Sequence, residues 1–162
     1  MLVVASLASL AQAAGPEPTF RDRYAQLMRQ WKSGFDRLNQ APRPRFASLS
    51  REDLRRMKVA RVERIAQIHR AAEARTRATP ATPKYTRLKA LTLDFFAVQA
   101  RGAEEYARLL RSNSPKAEGY AKIDTRRTYN ALRAMITEVE RVENRPGAFQ
   151  KRLEEARRRI VR

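Results

Sequence analysis

Apolar residues recur along this chain at the three- and four-residue spacing of a helix, and no stretch of any length alternates as a strand does. The cleanest run is Phe20, Tyr24, Leu27, Met28, Trp31, Phe35 and Leu38, separated by 4, 3, 1, 3, 4 and 3 residues. Those positions share one narrow stripe, the seam that one helix presses against another. A second stripe comprises Leu54, Met57, Ile65, Ile68 and Ala72. A third holds Tyr85, Leu88, Leu91, Thr92, Phe95, Tyr106, Leu109 and Leu110, with Gly102 inside it. Ala131, Met135, Val139 and Val142 make a fourth, and Phe149, Leu153, Ala156 and Ile160 a short fifth.

Breaks between the stripes are marked by proline: Pro42-Arg43-Pro44, Thr79-Pro80-Ala81-Thr82-Pro83, Ser112-Asn113-Ser114-Pro115 and Asn144-Arg145-Pro146-Gly147. Start signals follow them. Ser50 stands three before Asp53, with Leu49 and Leu54 placed as a hydrophobic staple across that cap. Thr82-Pro83 and Ser114-Pro115 read as a capping residue followed by proline in the first helical position. Four helices of roughly 20 to 28 residues joined by short loops predict an all-α fold, an antiparallel four-helix up-down bundle over residues 19–144. Residues 145–162 form a basic C-terminal fifth helix in this reading.

Charge complicates the picture. The 162 residues carry 35 Lys and Arg against 17 Asp and Glu, a formal net charge of +18. The 43% hydrophobic content favours a folded chain against the expansion that such charge promotes. Residues 51–79 hold nine basic and four acidic residues, and residues 145–162 hold seven and two. Arg145, Lys151, Arg152, Arg157, Arg158, Arg159 and Arg162 make the second group the densest candidate for contact with a polyanion. Aromatic rings interleave with cations between Phe20 and Phe35. The rings share one helical face and the cations lie largely off it, so those rings read as core rather than as a platform for nucleic-acid bases.

The start of the chain contrasts with this body. MLVVASLASLAQA, residues 1–13, is uncharged and apolar and finishes on Ala11-Gln12-Ala13, a small-x-small pattern that a signal peptidase accepts. An extended spacer, residues 14–18, follows with Pro16 and Pro18. The expectation is an exported protein, periplasmic or secreted. The run lacks the usual opening Lys or Arg, which leaves a cytoplasmic location as the alternative. About fourteen apolar residues are too few for a membrane span.

Catalytic signatures are missing from the sequence. There is no cysteine and a single histidine, His69, so disulfides, thiolate chemistry, multi-histidine metal sets and a Ser-His-Asp triad are excluded within this chain. Glu104-Glu105 and Glu138, Glu140 and Glu143 read as solvated carboxylates among arginines rather than a di-metal set. No glycine-rich phosphate loop, zinc-finger spacing or RNA-recognition motif appears. Basicity, an export-like start and the absence of cysteine are shared, as a class, with small cationic periplasmic chaperones. The LTxxQ signature of one such group is missing, because Leu91-Thr92-Leu93-Asp94-Phe95 lacks the glutamine.

One polar pair stands out. Arg61 projects from the apolar stripe of the second helix and Asp124 from that of the fourth, each about ten residues past its helix start. A buried Arg61–Asp124 pair that sets helix register is expected from this placement. Taken together, the sequence predicts a non-enzymatic basic protein, with no cofactor and no metal. Its expected partners are acidic: an envelope polymer, a membrane surface or an acidic client protein. Two alternatives remain, an intracellular nucleic-acid-associated protein and a structural subunit of a larger assembly.

Overall fold

Four helices account for nearly all of the regular structure in the computed structural model, which describes residues 18–40, 49–144 and 147. The side chains at 18, 19, 118 and 121–125 are outside that description. The helices are α1 (Pro18–Gln40), α2 (Arg51–Ala78), α3 (Thr86–Arg111) and α4 (Lys116–Val142), with a 3-10 turn at Pro83–Tyr85 before α3. Among the described residues there is no strand.

Local chemistry explains the ends. The Asp53 amide donates to Ser50 Oγ at 3.1 Å, and that hydroxyl donates to the Asp53 carboxylate at 2.6 Å, so Ser50 caps α2 as expected. Glu52 and Asp53 add negative charge to the first turn, where the helix dipole favours it. Thr82 precedes Pro83 at the head of the 3-10 turn. At the end of α3, Asn113 takes φ 51° and the Ser114 amide donates to Leu109 O at 2.9 Å. This is a Schellman closure, with asparagine supplying the left-handed residue more often supplied by glycine. The start of α4 departs by one position from the sequence reading: Pro115 itself is the capping residue, and the Lys116 amide donates to Ser114 Oγ at 3.3 Å.

The core is aromatic and sits around α3. Phe20, Tyr24, Leu27, Met28 and Trp31 of α1 are buried against Leu88, Phe95 and Phe96 of α3 and Met135, Ile136, Val139 and Val142 of α4. Trp31 meets Phe95 edge-on at 5.6 Å between centroids and Phe96 at 5.4 Å. Phe20 stacks on Tyr85 at 4.9 Å, which ties the 3-10 turn to the head of α1. Such ring pairs add to the burial that drives folding.

In α2 the buried stripe differs from the predicted one. Val62, Ala66, His69, Ala72, Glu73 and Thr76 are buried, whereas Leu54, Met57, Ile65 and Ile68 are only partly so. The physical reason is the size of the facing groups. Small Ala66 and Ala72 let α2 lie close on the aromatic layer, which turns the bulkier aliphatics toward the flanks of the contact. Ile68 lies over Gly34, where an added Cβ would come within 3.1 Å of Ile68 Cγ2. The buried hydroxyls of Thr76 and Thr92 donate back to Ala72 O and Leu88 O at 2.8 and 2.7 Å, so neither is left unpaired.

Candidate functional site

The seams that join the helices use different acceptors for their arginines. Between α2 and α3, Arg70 grips both oxygens of Glu104 at 2.8 Å, and Arg111 pairs with Glu63. The bond from Arg70 holds the Glu104 carboxyl below its usual range. Between α3 and α4, Arg87 approaches the buried Glu138 at 3.5 Å, and Arg141 binds the same carboxylate from within α4. The head of α1 is tied to the tail of α4 by Arg21 and Glu143 at 2.6 Å, with both side chains nearly buried. At each of these contacts a carboxylate cancels the guanidinium charge.

The α1–α2 seam does otherwise. Arg75 Nη1 donates to Gln30 Oε1 at 2.6 Å, and Arg61 donates to Leu38 O at 3.3 Å and to Asn39 Oδ1 at 2.7 Å. Amide and carbonyl oxygens satisfy hydrogen bonds without removing charge, so these cations keep their full positive potential. Arg64, eleven residues before Arg75 and on the same face of α2, donates to Gln67 Oε1. Alongside them lies an open groove of about 380 Å³ lined by Gln26, Arg29, Gln30, Ser33, Arg37 and Arg75. No carboxylate lines it among the described residues. Two other grooves along the helices include Glu138, or Glu52 and Glu63, in their walls.

Local sequence makes this groove. Gln26, Arg29, Gln30, Ser33 and Arg37 follow the i, i+3, i+4, i+7, i+11 spacing that keeps side chains on one helix face, opposite the aromatic seam. Lys32 and Asp36, the cation and carboxylate nearest in sequence, are occupied with each other at 2.6 Å. Asp22 stands one turn before Gln26 on that face and is not part of the lining. Arg29, Arg37 and Arg75 are all exposed.

Of the residues singled out from sequence, Arg61 is exposed rather than buried, and its donors are directed to the end of α1. The rotation of α2 that buries Val62 carries its neighbour Arg61 toward α1. Asp124 lies in α4, and its side chain is outside the described residues. The basic group Arg145, Lys151, Arg152, Arg157, Arg158, Arg159 and Arg162 also lies outside them, as do the N-terminal run and the fifth helix. The solvated reading of the α4 carboxylates is corrected. Glu138 and Glu140 are buried, and Glu143 is nearly so; Glu138 pairs with Arg87 and Arg141, and Glu143 with Arg21.

His69 is 2% exposed and sits among Trp31, Phe35, Phe95 and Phe96 at 5.4 to 6.4 Å between ring centroids. Burial pushes its pKa down from 6.5 to about 4. His69 Nδ1 and Trp31 Nε1 are buried without a hydrogen-bond partner. The ring is therefore a neutral core group at ordinary pH, with no second nucleophile or ligand beside it among its described neighbours. No cluster of three metal-ligating side chains occurs among the described residues, and no described helix is long and apolar enough to cross a membrane.

The α1–α2 groove was missed from sequence, although its signal was present: a polar face repeating at helical spacing with arginines and no acid between Gln26 and Lys32. No protein-family model, curated protein or solved structure matches this chain significantly.

Proposed function

We propose that this is a non-enzymatic basic protein, an antiparallel up-down bundle of four helices that engages acidic partners through charge. The order of cross-helix contacts supports the arrangement: Asn39 with Arg61, Gly34 with Ile68 and Gln30 with Arg75 run in opposite senses along α1 and α2. Arg111 with Glu63, Arg70 with Glu104 and Lys89 with the Arg77 carbonyl do the same for α2 and α3. The observation that carries the functional reading is the α1–α2 seam, where Arg61 and Arg75 meet neutral acceptors, while Arg70 and Arg111 at the α2–α3 seam and Arg87 at the α3–α4 seam meet carboxylates. Cations left uncancelled along a seam present a positive field there, on top of the +18 net charge.

The test is retention of the purified full chain on immobilised anionic polymers across a salt series. Binding that falls steeply as salt rises, with no turnover of the polymer, is the expected result. Elution at low salt from every polymer, alongside tight salt-resistant binding to a neutral partner, would refute the charge-led reading.

A further inference from the structure

We infer that the α1–α2 groove is a seat for a linear chain of phosphate groups, held through its phosphates. This rests on the polyanion reading above and narrows it to one surface and one chemistry. The lining side chains are guanidinium, amide and hydroxyl groups. Guanidinium forks match the paired oxygens of a phosphate, and amide and hydroxyl donors supplement them, as at protein contacts to phosphate backbones. Gln30 directs its amide oxygen to Arg75, so its NH2 end is the one left to donate.

Spacing favours a chain over a single ion. Arg29 and Arg37 are eight residues apart on α1, about 12 Å along the axis, and Arg64 and Arg75 are about 16 Å apart on α2. Cations at such separations cannot converge on one phosphate, but they can follow successive phosphates of an extended polymer.

The same lining argues against other acidic partners. Among the described residues it contains no aromatic or aliphatic side chain to act as the buried anchor that protein interfaces rely on, and none to enter a lipid surface. Phe20, Tyr24 and Trp31 of α1 are buried in the core, so no ring there is free to stack on a base. Contact along the groove is therefore blind to base sequence. A nucleic-acid strand and an inorganic polyphosphate share the required chemistry.

The experiment compares three full-length proteins: the parent, Arg29→Gln/Arg37→Gln/Arg75→Gln, and Arg56→Gln/Arg77→Gln/Arg108→Gln. Both triples remove the same charge from exposed positions, and glutamine keeps helix propensity. Circular dichroism melts check that both fold. The probes are a thymidine 20-mer, a polyphosphate of similar charge and polyglutamate of similar charge, titrated between 50 and 200 mM salt. For the thymidine strand, loss of three phosphate contacts should flatten the slope of log K against log salt by about 2, at about 0.7 per contact on a single strand. The groove triple should lose at least tenfold in affinity and the control triple much less.

Equal losses in the two triples would overturn the groove while leaving the polyanion reading intact. Polyglutamate bound as tightly as polyphosphate would overturn the phosphate assignment. Parent protein that binds none of the probes would remove both readings together. A preference for the strand over polyphosphate, or the reverse, identifies the source of the phosphates and supports the seat in either case.

Discussion

His69 supplies a pH-dependent term in stability that can be isolated in one variant. In the folded protein its imidazole is enclosed by Trp31, Phe35, Phe95 and Phe96, and burial lowers its pKa from 6.5 to about 4. The unfolded chain leaves it in water at its ordinary value. Because the folded value is the lower one, folding favours the neutral ring. Its contribution is fully present above pH 6.5 and is lost as pH falls through the window down to about 4. A displacement of this size corresponds to about 3 kcal/mol in all, of which about 2 kcal/mol disappears between pH 7 and pH 5. The assay is urea denaturation at pH 7, 6, 5 and 4.5 for the parent and for His69→Phe, whose ring fills the same aromatic nest. Glu52, Glu104 and Glu105 also titrate, with pKa values lowered by hydrogen bonds from Arg55 and Arg56, Arg70 and Arg108 respectively. Their effect is common to both proteins and cancels in the difference. The parent should lose stability relative to the variant as pH drops, with a gap of roughly 2 kcal/mol opening between pH 7 and pH 5. Parallel profiles for the two proteins would mean that His69 is solvated in solution, and the aromatic enclosure would be wrong.

Helix ends and glycines give three further expected outcomes. Ser50→Ala removes the acceptor of the Asp53 amide and should cost about 1 kcal/mol, read as a lower urea midpoint at unchanged slope. Gly119→Ala places a methyl group where nothing lies within 4 Å, so helix propensity alone acts, and stability should rise by about 0.5–1 kcal/mol with a higher Tm. Gly34→Leu must displace Ile68, whose Cγ2 would stand only 3.1 Å from the new Cβ, and should cost about 1–3 kcal/mol by overpacking; a neutral urea midpoint would show that α1 and α2 are further apart.

Much of the fold was legible because its determinants are local. The Phe20–Trp31 seam, the Ser50 cap and the helix limits at Ala78 and Arg111 rest on hydrogen bonds and periodicities within a few residues, which an amino-acid string displays directly. Phe96 shows where that fails. It is fully buried, yet it falls one position off the predicted stripe, because α3 packs against three helices and needs a broad apolar arc. The same limit applies to polar groups. The spacing of Glu138 and Glu140 among arginines resembles a solvated surface, and only the packing of α4 on its neighbours shows both to be buried.

Periodicity and composition were enough to establish that the described chain is helical, where its helices lie to within a few residues, that it carries a large positive charge, and that thiol and multi-histidine chemistry lie beyond it. Which arginines are neutralised was settled only by packing. Every guanidinium has the same intrinsic charge, and what it presents outward depends on the acceptor that a neighbouring helix brings within about 3 Å. For Arg70 and Arg111 that acceptor is a carboxylate; for Arg61 and Arg75 it is a carbonyl or an amide. Helix rotation and neighbour order, set by how Ala66, Ala72 and Gly34 let the helices approach, thus leave the charges of Arg61 and Arg75 uncancelled on the α1–α2 seam.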